Sequence, residues 1–231
     1  MRRRLQILAW TLIWSGVFVF GYLGWQLFGT DLLTRGAQAA AQTDLEETID
    51  ASTPTVETVD LSGLIEQLPP GAPESVEFTA ETAPGTGEPF AFLRIPKIGA
   101  DHVVFEGVDV ETLKSGPGHM AGTPVPGQSG NSVISGHRTT YGRPFFDFDL
   151  LVAGDRIEVE SLAGTHVYEV REILLVKPTD VWVTDPLPGG WLTLTTCHPK
   201  FSARERLVIQ AEMVEGPNFD YIQVHASGLL P

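Results

Sequence analysis

One uninterrupted apolar run near the start of the chain limits its fold more than any other feature. Residues 5–28 contain no charged side chain, and they follow the basic cluster Arg2–Arg4. As a helix this run would be roughly 36 Å long, enough to cross a hydrocarbon core of about 30 Å with some tilt. Aromatic residues of the kind that favour membrane interfaces occur along it, namely Trp10, Trp14, Tyr22 and Trp25. Residues 1–29 are therefore predicted to form a short tip and a transmembrane anchor.

The charges beside the run predict its orientation. Arginines next to a membrane span stay on the cytoplasmic side, so residues 2–4 predict a cytoplasmic N-terminus and place everything after residue 30 outside the cell. A cleaved signal peptide is the alternative, with Ala37–Ala39 as a candidate cleavage site. Signal sequences have apolar regions of about 7–15 residues, so the length of this run favours a permanent anchor.

The charge of the chain is unevenly distributed. The net charge is −14, and residues 31–88 carry twelve acids against the single base Arg35. This segment has few aromatic residues, and such a composition buries too little apolar surface to offset the entropy of ordering. Residues 30–88 are predicted to form a flexible acidic stalk, with a short helix indicated by apolar spacing within 59–71. An acidic chain repels phosphate backbones, so nucleic acid is not expected as a partner.

From residue 89 onward the pattern changes to short alternating strands. β-branched and aromatic residues dominate seven segments, and the loops between them are rich in Gly and Pro. One segment, Asp109–Gly116, is predicted to be helical. This pattern predicts one all-β domain, a barrel or a sandwich, over residues 89–215, followed by a C-terminal tail at 216–231. The strand segments are 90–95, 102–107, 131–136, 155–161, 165–176, 191–196 and 206–213.

Cys197 is the only cysteine in the 231 residues, so no disulfide is available within the chain. In "WLTLTTC" the leucines at 192 and 194 point to one face of a strand, and Cys197 points to the other. Pro199 cannot continue a central strand, which places the thiol at the end of one. A free cysteine is often simply a small buried apolar residue. The alternative is a nucleophile, which needs a histidine or a cation nearby.

Several basic residues are candidates for activating the thiol. His137 follows a predicted strand and a glycine, and so lies at a strand-to-loop edge. His198 is adjacent to Cys197 and therefore points to the opposite side, while His166 is predicted to lie on a strand surface. The segment 204–213 is predicted to pair antiparallel with the cysteine strand, which brings Arg204 or Arg206 near the thiol.

Three motifs together resemble those of sortases, the membrane-anchored cysteine transpeptidases of Gram-positive bacteria. "TLTTC" (193–197) is similar to the TLxTC signature, "SGHRTTYGRPF" (135–145) to the histidine motif, and "RERLVIQA" (204–211) to the arginine strand. "LRIPKIG" (93–99) resembles the first strand of the sortase barrel. The resemblance covers about residues 89–215 and is closest to class E, with class D second. It implies a closed barrel of about eight strands with short helices.

The resemblance implies roles for the matching residues. Cys197 would attack the threonine carbonyl of a cell-wall sorting signal and form a thioacyl intermediate. His137 would act as general acid and base, and Arg206, favoured over Arg204, would position the substrate and stabilise the oxyanion. The residues expected to contact substrate are Thr196 beside the oxyanion, Tyr141, and Trp182 in the loop before the cysteine strand. Trp182 as a core residue is an equal alternative.

The same resemblance implies the partners. The substrates would be secreted proteins with a C-terminal sorting signal, of LAxTG rather than LPxTG type, and the acceptor would be an amine of a peptidoglycan precursor or cross-bridge. No cofactor is expected. Asp147 and Asp149 fall far short of a calcium cage, so no required metal is predicted. Two rival hypotheses are an extracellular cysteine peptidase and a non-enzymatic, membrane-anchored β-domain that binds partners.

Overall fold

Ten β-strands and four α-helices occur in the residues that the structure, a computed structural model, describes: 2–25, 29–64, 66–68 and 73–230. The helices are α1 (Arg2–Gly24), α2 (Thr30–Ala51), α3 (Val110–Ser115) and α4 (Phe219–Ala226). The strands are β1 (Val56–Asp60), β2 (Ser75–Thr79), β3 (Pro89–Ile95), β4 (Ala100–Glu106), β5 (Gly118–His119), β6 (Gly130–Ser135), β7 (Arg156–Ser161), β8 (Gly164–Val176), β9 (Gly190–His198) and β10 (Glu205–Glu215).

Strands β3 to β10 close into a barrel, in the order β10-β8-β7-β3-β4-β5-β6-β9. Neighbours are antiparallel except for the pairs β4–β5 and β6–β9, which are parallel. The prediction of an all-β fold is confirmed, and the closed barrel of eight strands agrees with the expected architecture. Each of the seven predicted strand segments corresponds to a barrel strand, and α3 lies in the segment predicted to be helical. The eighth strand, β5, has only two residues and is too short for an alternating pattern to reveal it.

Alternation along the strands separates the barrel interior from its outer face. Leu192 and Leu194 of β9 and Leu207 and Ile209 of β10 belong to the buried core cluster inside the barrel. Burial of each such side chain stabilises the fold by about 1.5–3 kcal/mol. The residues of opposite parity, including Cys197, therefore belong to the outer face at the end of β9.

The N-terminal part of the predicted stalk differs from the flexible coil that was expected. Residues 30–51 form α2, whose Ala41 and Leu45 are buried against an outer-face cluster on β3 and β4 formed by Phe92, Val103 and Phe105. The Gln38 side chain pairs with both the amide and the carbonyl of Val103, at 2.8 and 3.0 Å. The prediction of a coil is wrong for residues 30–51. Ala41 and Leu45, four residues apart, lie on the same face of the helix, and this narrow apolar face is enough to dock a helix that also carries several acids.

The rest of the predicted stalk packs together with the C-terminal tail. Strands β1 and β2 make a separate antiparallel hairpin, and Leu61 and Val76 are buried with Val224 of α4. The helix expected within 59–71 is a single 3₁₀ turn at Ser62–Leu64, while Ile65 and residues 69–72 lie outside the described residues. The tail packs on the barrel through Ile222, which is fully buried.

Helix α1 is unlike the others because none of its residues is buried. It has 23 residues, an 18-residue window within it has a mean hydropathy of 1.7, and among the described residues it is the one helix long and apolar enough to cross a membrane. The end of the predicted span, residues 26–28, lies outside the described residues.

Candidate active site

Cys197 lies near the end of β9, between a parallel and an antiparallel neighbour. On the β10 side its cross-strand partner is Arg206. On the β6 side Ser135 is paired with Thr195, and two residues further along the parallel strands come His137 and Cys197. The register therefore places His137 and Arg206 on opposite sides of the cysteine, at the same end of the barrel.

The thiol itself is free and half-buried. Cross-strand partners have the same parity, so Cys197 and Arg206 share the outer face, away from the core that contains Leu194 and Leu207. The Cys197 carbonyl accepts a hydrogen bond from Arg138. A nucleophile in this position is reachable from solvent while its backbone is held by the sheet.

His137 is positioned by the hydrogen bonds that tie Gly136, directly after β6, to the neighbouring strand β9. The Gly136 amide donates to the Thr195 carbonyl at 3.1 Å, and the Thr196 hydroxyl donates to the Gly136 carbonyl at 2.7 Å. A side chain at Gly136 would place its Cβ 2.6 Å from the ring of Phe145, so only glycine fits there. Partial burial lowers the pKa of His137 below its usual range, and the neutral imidazole is favoured at neutral pH.

The two candidate arginines are placed very differently. Arg206 is half-buried in β10, and its guanidinium donates to the carbonyls of Ala203 and Glu205, both at 3.2 Å. No carboxylate of the described residues forms an ion pair with it. Arg204 precedes the strand, and its exposed side chain lies 4.0 Å from the Glu205 carboxylate. The register thus aligns Arg206, and not Arg204, with the cysteine.

Arg138 belongs to this site, and the sequence reasoning missed it. The residue is only 2% exposed, and its guanidinium donates to the carbonyls of Phe146 and Cys197 at 2.9 and 3.3 Å and to Asp149 at 2.7 Å. The sequence signal that could have identified Arg138 is its position directly after His137. Neighbouring side chains on an extended chain point in opposite directions, so Arg138 is directed away from the side on which His137 lies. It joins the cysteine strand to the loop 136–147, named here the catalytic loop.

Two of the predicted substrate-contacting residues lie close to His137. The Thr196 side chain is buried and has the parity of the core leucines, so its hydroxyl fixes Gly136 from the side opposite the thiol. The Tyr141 ring lies 4.9 Å from the His137 ring, centroid to centroid, with 39° between the planes. Tyr141 has a positive φ of 51°, which is uncommon for a residue with a side chain.

Trp182 lies in the loop between β8 and β9, named here the cover loop (177–189), and is 53% exposed. The alternative that it is a core residue is wrong, because Val183 fills the buried position and packs on Val176 and Val208. Asn131 donates to the carbonyls of Val183 and Asp185 at 3.1 and 3.0 Å. The cover loop is therefore fastened to the outer face of the sheet, two residues along β10 from Arg206, with its tryptophan open to solvent.

Two acids, Asp147 at the end of the catalytic loop and Asp149 just after it, are engaged with cations. Lys200 lies 3.3 Å from Asp147 and 3.2 Å from Asp149, and Arg138 also contacts Asp149. Within the described residues, no group of three or more His, Cys, Asp or Glu side chains is placed to hold a metal ion.

His166 is not on the surface as predicted, since it is completely buried. Its ring is packed between Gly127 and Gly216, where an added Cβ would lie 2.3 and 2.6 Å away. The surface prediction is wrong because His166 has the parity of the core residues Tyr168 and Val170 and pairs across the sheet with Val159, so it lies on the core-facing side of β8, where the two glycines leave room for its flat ring. His166 lies at the far end of the barrel from Cys197, because it starts β8 whereas Cys197 ends β9.

A closed barrel that carries a free cysteine between a histidine and an arginine is the arrangement expected of an enzyme with a thiol nucleophile. The family model of the sortase domain matches residues 93–214, a little over half of the chain. The chain belongs to the sortase family, whose members are cysteine transpeptidases. The match includes every predicted catalytic residue.

Individual relatives place the chain within the family. It is similar to Sortase SrtE1 of Streptomyces coelicolor, with 36% identity over 152 residues, 58% of this chain but only 43% of that protein. It is also similar to Sortase D of Bacillus subtilis, with 29% identity over 189 residues, 81% of this chain and 86% of that protein. These relatives confirm the resemblance to classes E and D. The structure of a Clostridium perfringens sortase D5 transpeptidase is 25% identical, with a TM-score of 0.61 over 78% of this chain and 99% of the other.

Proposed function

We propose that this protein is a membrane-anchored sortase that cleaves a C-terminal sorting signal and joins the upstream part to an amine. The observation that supports this most directly is the register of β6, β9 and β10, which aligns Cys197 between His137 and Arg206. The family acts on sorting-signal substrates. The signal is of LAxTG or LPxTG type, and LAxTG is expected to be preferred.

In the first step the Cys197 thiol passes its proton to His137, and the sulfur attacks the threonine carbonyl carbon. Arg206 stabilises the developing oxyanion, because a guanidinium is always charged and presents donors in a fixed geometry. The C–N bond after threonine then breaks, and His137 gives a proton to the leaving amine. A thioester joins the substrate to Cys197.

In the second step an amine attacks the thioester carbonyl. His137 accepts the proton from this amine, the new amide forms as the C–S bond breaks, and the proton returns from His137 to the departing Cys197 sulfur. The acceptor is an amine of a peptidoglycan precursor or cross-bridge. Thr196 holds the backbone beside His137, and Tyr141 and Trp182 contact the sorting signal.

The anchor gives the proposed location. Helix α1 spans the cell membrane once, with Arg2–Arg4 in the cytoplasm, and the catalytic barrel of residues 89–215 lies outside, where secreted substrates and cell-wall amines are found. Reporter fusions after residue 51 test this topology. A reporter that is active only outside the cytoplasm should be active, and a reporter that is active only in the cytoplasm should be inactive. The reverse pattern would overturn it.

The activity is tested with full-length protein in detergent, incubated with LAxTG or LPxTG peptides and an amine. Mass spectrometry should detect the new amide, and Cys197→Ala and His137→Ala should lose at least about a thousandfold in kcat/KM. Arg206→Ala should lose about a hundredfold, with Arg204→Ala as the matched control that loses little. Release of the free acid without amide would indicate a peptidase, and unchanged activity in Cys197→Ala would contradict the mechanism.

A further inference from the structure

The catalytic loop contains three consecutive residues in the left-handed region of backbone conformation. The φ angles are 51° for Tyr141, 76° for Gly142 and 52° for Arg143. For a residue with a side chain such a conformation costs on the order of 1–3 kcal/mol, and it persists only where surrounding contacts hold it. Two of the three residues are not glycine, so this turn needs support from elsewhere in the fold.

The support comes from Asp31, 111 residues earlier in the chain. One carboxylate oxygen accepts a hydrogen bond from the Gly142 amide at 3.0 Å, and the other lies 3.2 Å from the Arg143 guanidinium. The Asp31 side chain is 9% exposed and the Arg143 side chain 43%, so the carboxylate is shielded from water while solvent reaches the pair from the arginine side. One carboxylate thus contacts both the backbone and a side chain of the left-handed turn.

Thr34 of α2 also packs behind this turn, since a Cβ added at Gly142 would lie 3.0 Å from its side chain. Beside this contact a cavity of about 330 Å³ lies between part of α2 and the barrel, and Tyr141, Gly142, Arg143 and Pro144 line it. Arg143 also lies over the Phe146 ring, at 5.6 Å from its centroid, but that contact is within the loop itself. The Asp31 carboxylate therefore supplies polar contacts from α2 to the turn, beside the apolar contact of Thr34.

Asp31 is itself held in place. It is the second residue of α2, and Thr34, one turn later, donates to the Lys114 carbonyl at 2.7 Å. Gln38, a further turn along, pairs with Val103 of the barrel. The helix therefore presents the Asp31 carboxylate from a fixed position. At the other side of the turn, Tyr141 places its ring against His137.

We propose that Asp31 is a positioning residue for the transpeptidation reaction. It holds the left-handed turn, and through Tyr141 it orients the His137 imidazole beside Cys197. This inference rests on the proposed function, because it requires His137 to be the acid and base. It also gives α2, which follows the membrane helix closely in the chain, a part in the arrangement of the active site.

The test compares full-length Asp31→Ala with Asp44→Ala, an exposed aspartate on the same helix. Misplacement of a catalytic group by a fraction of an ångström lowers turnover strongly, so Asp31→Ala should lower kcat about tenfold and leave KM within about twofold. Asp31→Asn, which keeps an acceptor for Gly142 but loses the ion pair, should fall between. Asp44→Ala should match the wild type.

A spectroscopic readout separates positioning from a general loss of stability. The His137 ring signals in NMR spectra should shift in Asp31→Ala, because the Tyr141 ring current changes, and stay unchanged in Asp44→Ala. Arg143→Ala removes one partner from the opposite side and should change kcat in the same direction. If Asp31→Ala and Arg143→Ala both keep the wild-type kcat and His137 signals, the inference is wrong. An inactive wild type or an active Cys197→Ala would instead contradict the proposed function itself.

Discussion

At one end of the barrel, where β9 ends and β10 begins, Cys197, His137 and Arg206 are all half-buried. At the other end, where β8 begins and β10 ends, His166 and Asn218 are completely buried. Asn218 there holds three backbone groups at once, with hydrogen bonds to both the amide and the carbonyl of Thr79 and to the Gly127 carbonyl. The far end uses its polar residues to close the fold, and the site end leaves its reactive groups accessible.

The two histidines make the contrast sharper. Burial lowers the pKa of both, and for His166 the value falls to about 4 despite a smaller opposing effect of the Gly164 backbone. Neither ring nitrogen of His166 has a hydrogen-bond partner among the described residues. His137 in contrast lies beside a thiol and a tyrosine ring. A histidine therefore contributes to packing at one end of the barrel and is a candidate proton carrier at the other. Substitutions at the far end should lower the free energy of unfolding, whereas substitutions at the site end should also lower the turnover number.

The largest effect is expected for Arg138→Ala at the site end. It leaves the part-buried carbonyls of Phe146 and Cys197 without their donor, at a cost of about 1–3 kcal/mol each, so the free energy of unfolding should fall by about 3 kcal/mol. The turnover number should fall as well, because the same contacts join the cysteine strand to the catalytic loop. Urea denaturation and peptide ligation measure the two effects. The control is Arg156→Ala, which changes an exposed arginine. A loss of stability with a normal turnover number in Arg138→Ala would contradict the expected difference between the two ends.

At the far end, Ile222→Ala should destabilise the protein by about 3 kcal/mol, since a fully buried side chain leaves a cavity. The kcat of the folded enzyme should stay unchanged, because Ile222 lies in α4, away from Cys197. Thermal unfolding and ligation at a temperature well below the transition test both statements. The exposed Val152→Ala serves as the control. A reduced kcat in Ile222→Ala would show that the two ends are coupled.

Acid should destabilise the far end through His166. Its pKa is lowered in the folded state, so the unfolded chain takes up the proton first, and stability that is complete above about pH 6.5 is lost progressively as the pH falls towards 4. At pH 5 the loss attributable to His166 is about 2 kcal/mol. His166→Phe keeps a flat ring and should remove this component. Urea midpoints of both proteins between pH 7 and 4 check it, and parallel pH profiles would contradict it.

The smallest effect is expected for Trp182→Ala in the cover loop. The side chain is exposed and Val183 carries the packing, so the free energy of unfolding should change by less than about 0.5 kcal/mol. If Trp182 contacts the sorting signal, the KM for the peptide should rise about fivefold with kcat little changed. Leu150→Ala, an exposed apolar residue of another loop, is the control. Equal kinetics for both variants would remove Trp182 from the substrate site.

Strand positions were predictable from sequence because alternation reports burial locally. The faces of β9 and β10 follow directly from it, and the core leucines and Cys197 lie on the expected sides. The same alternation gives His166 the parity of the core residues Tyr168 and Val170, so its predicted surface position was wrong, and the structure adds that Gly127 and Gly216 leave room for its ring. The helix α2 was missed for a different reason. Its apolar stripe is too narrow to stand out from an acidic composition, and its stability comes from the barrel surface that it covers.

The sequence by itself determined that the chain has an apolar membrane-length segment, an all-β domain and one cysteine within three ordered motifs. These are properties of composition, period and local order, which do not depend on distant residues. Only the tertiary structure decided that Arg206 rather than Arg204 is aligned with Cys197, since strand register chooses between residues of equal parity. It also brought Arg138 onto the cysteine backbone and Asp31 onto the catalytic loop, because closure of the barrel and docking of α2 join segments that no sequence pattern connects.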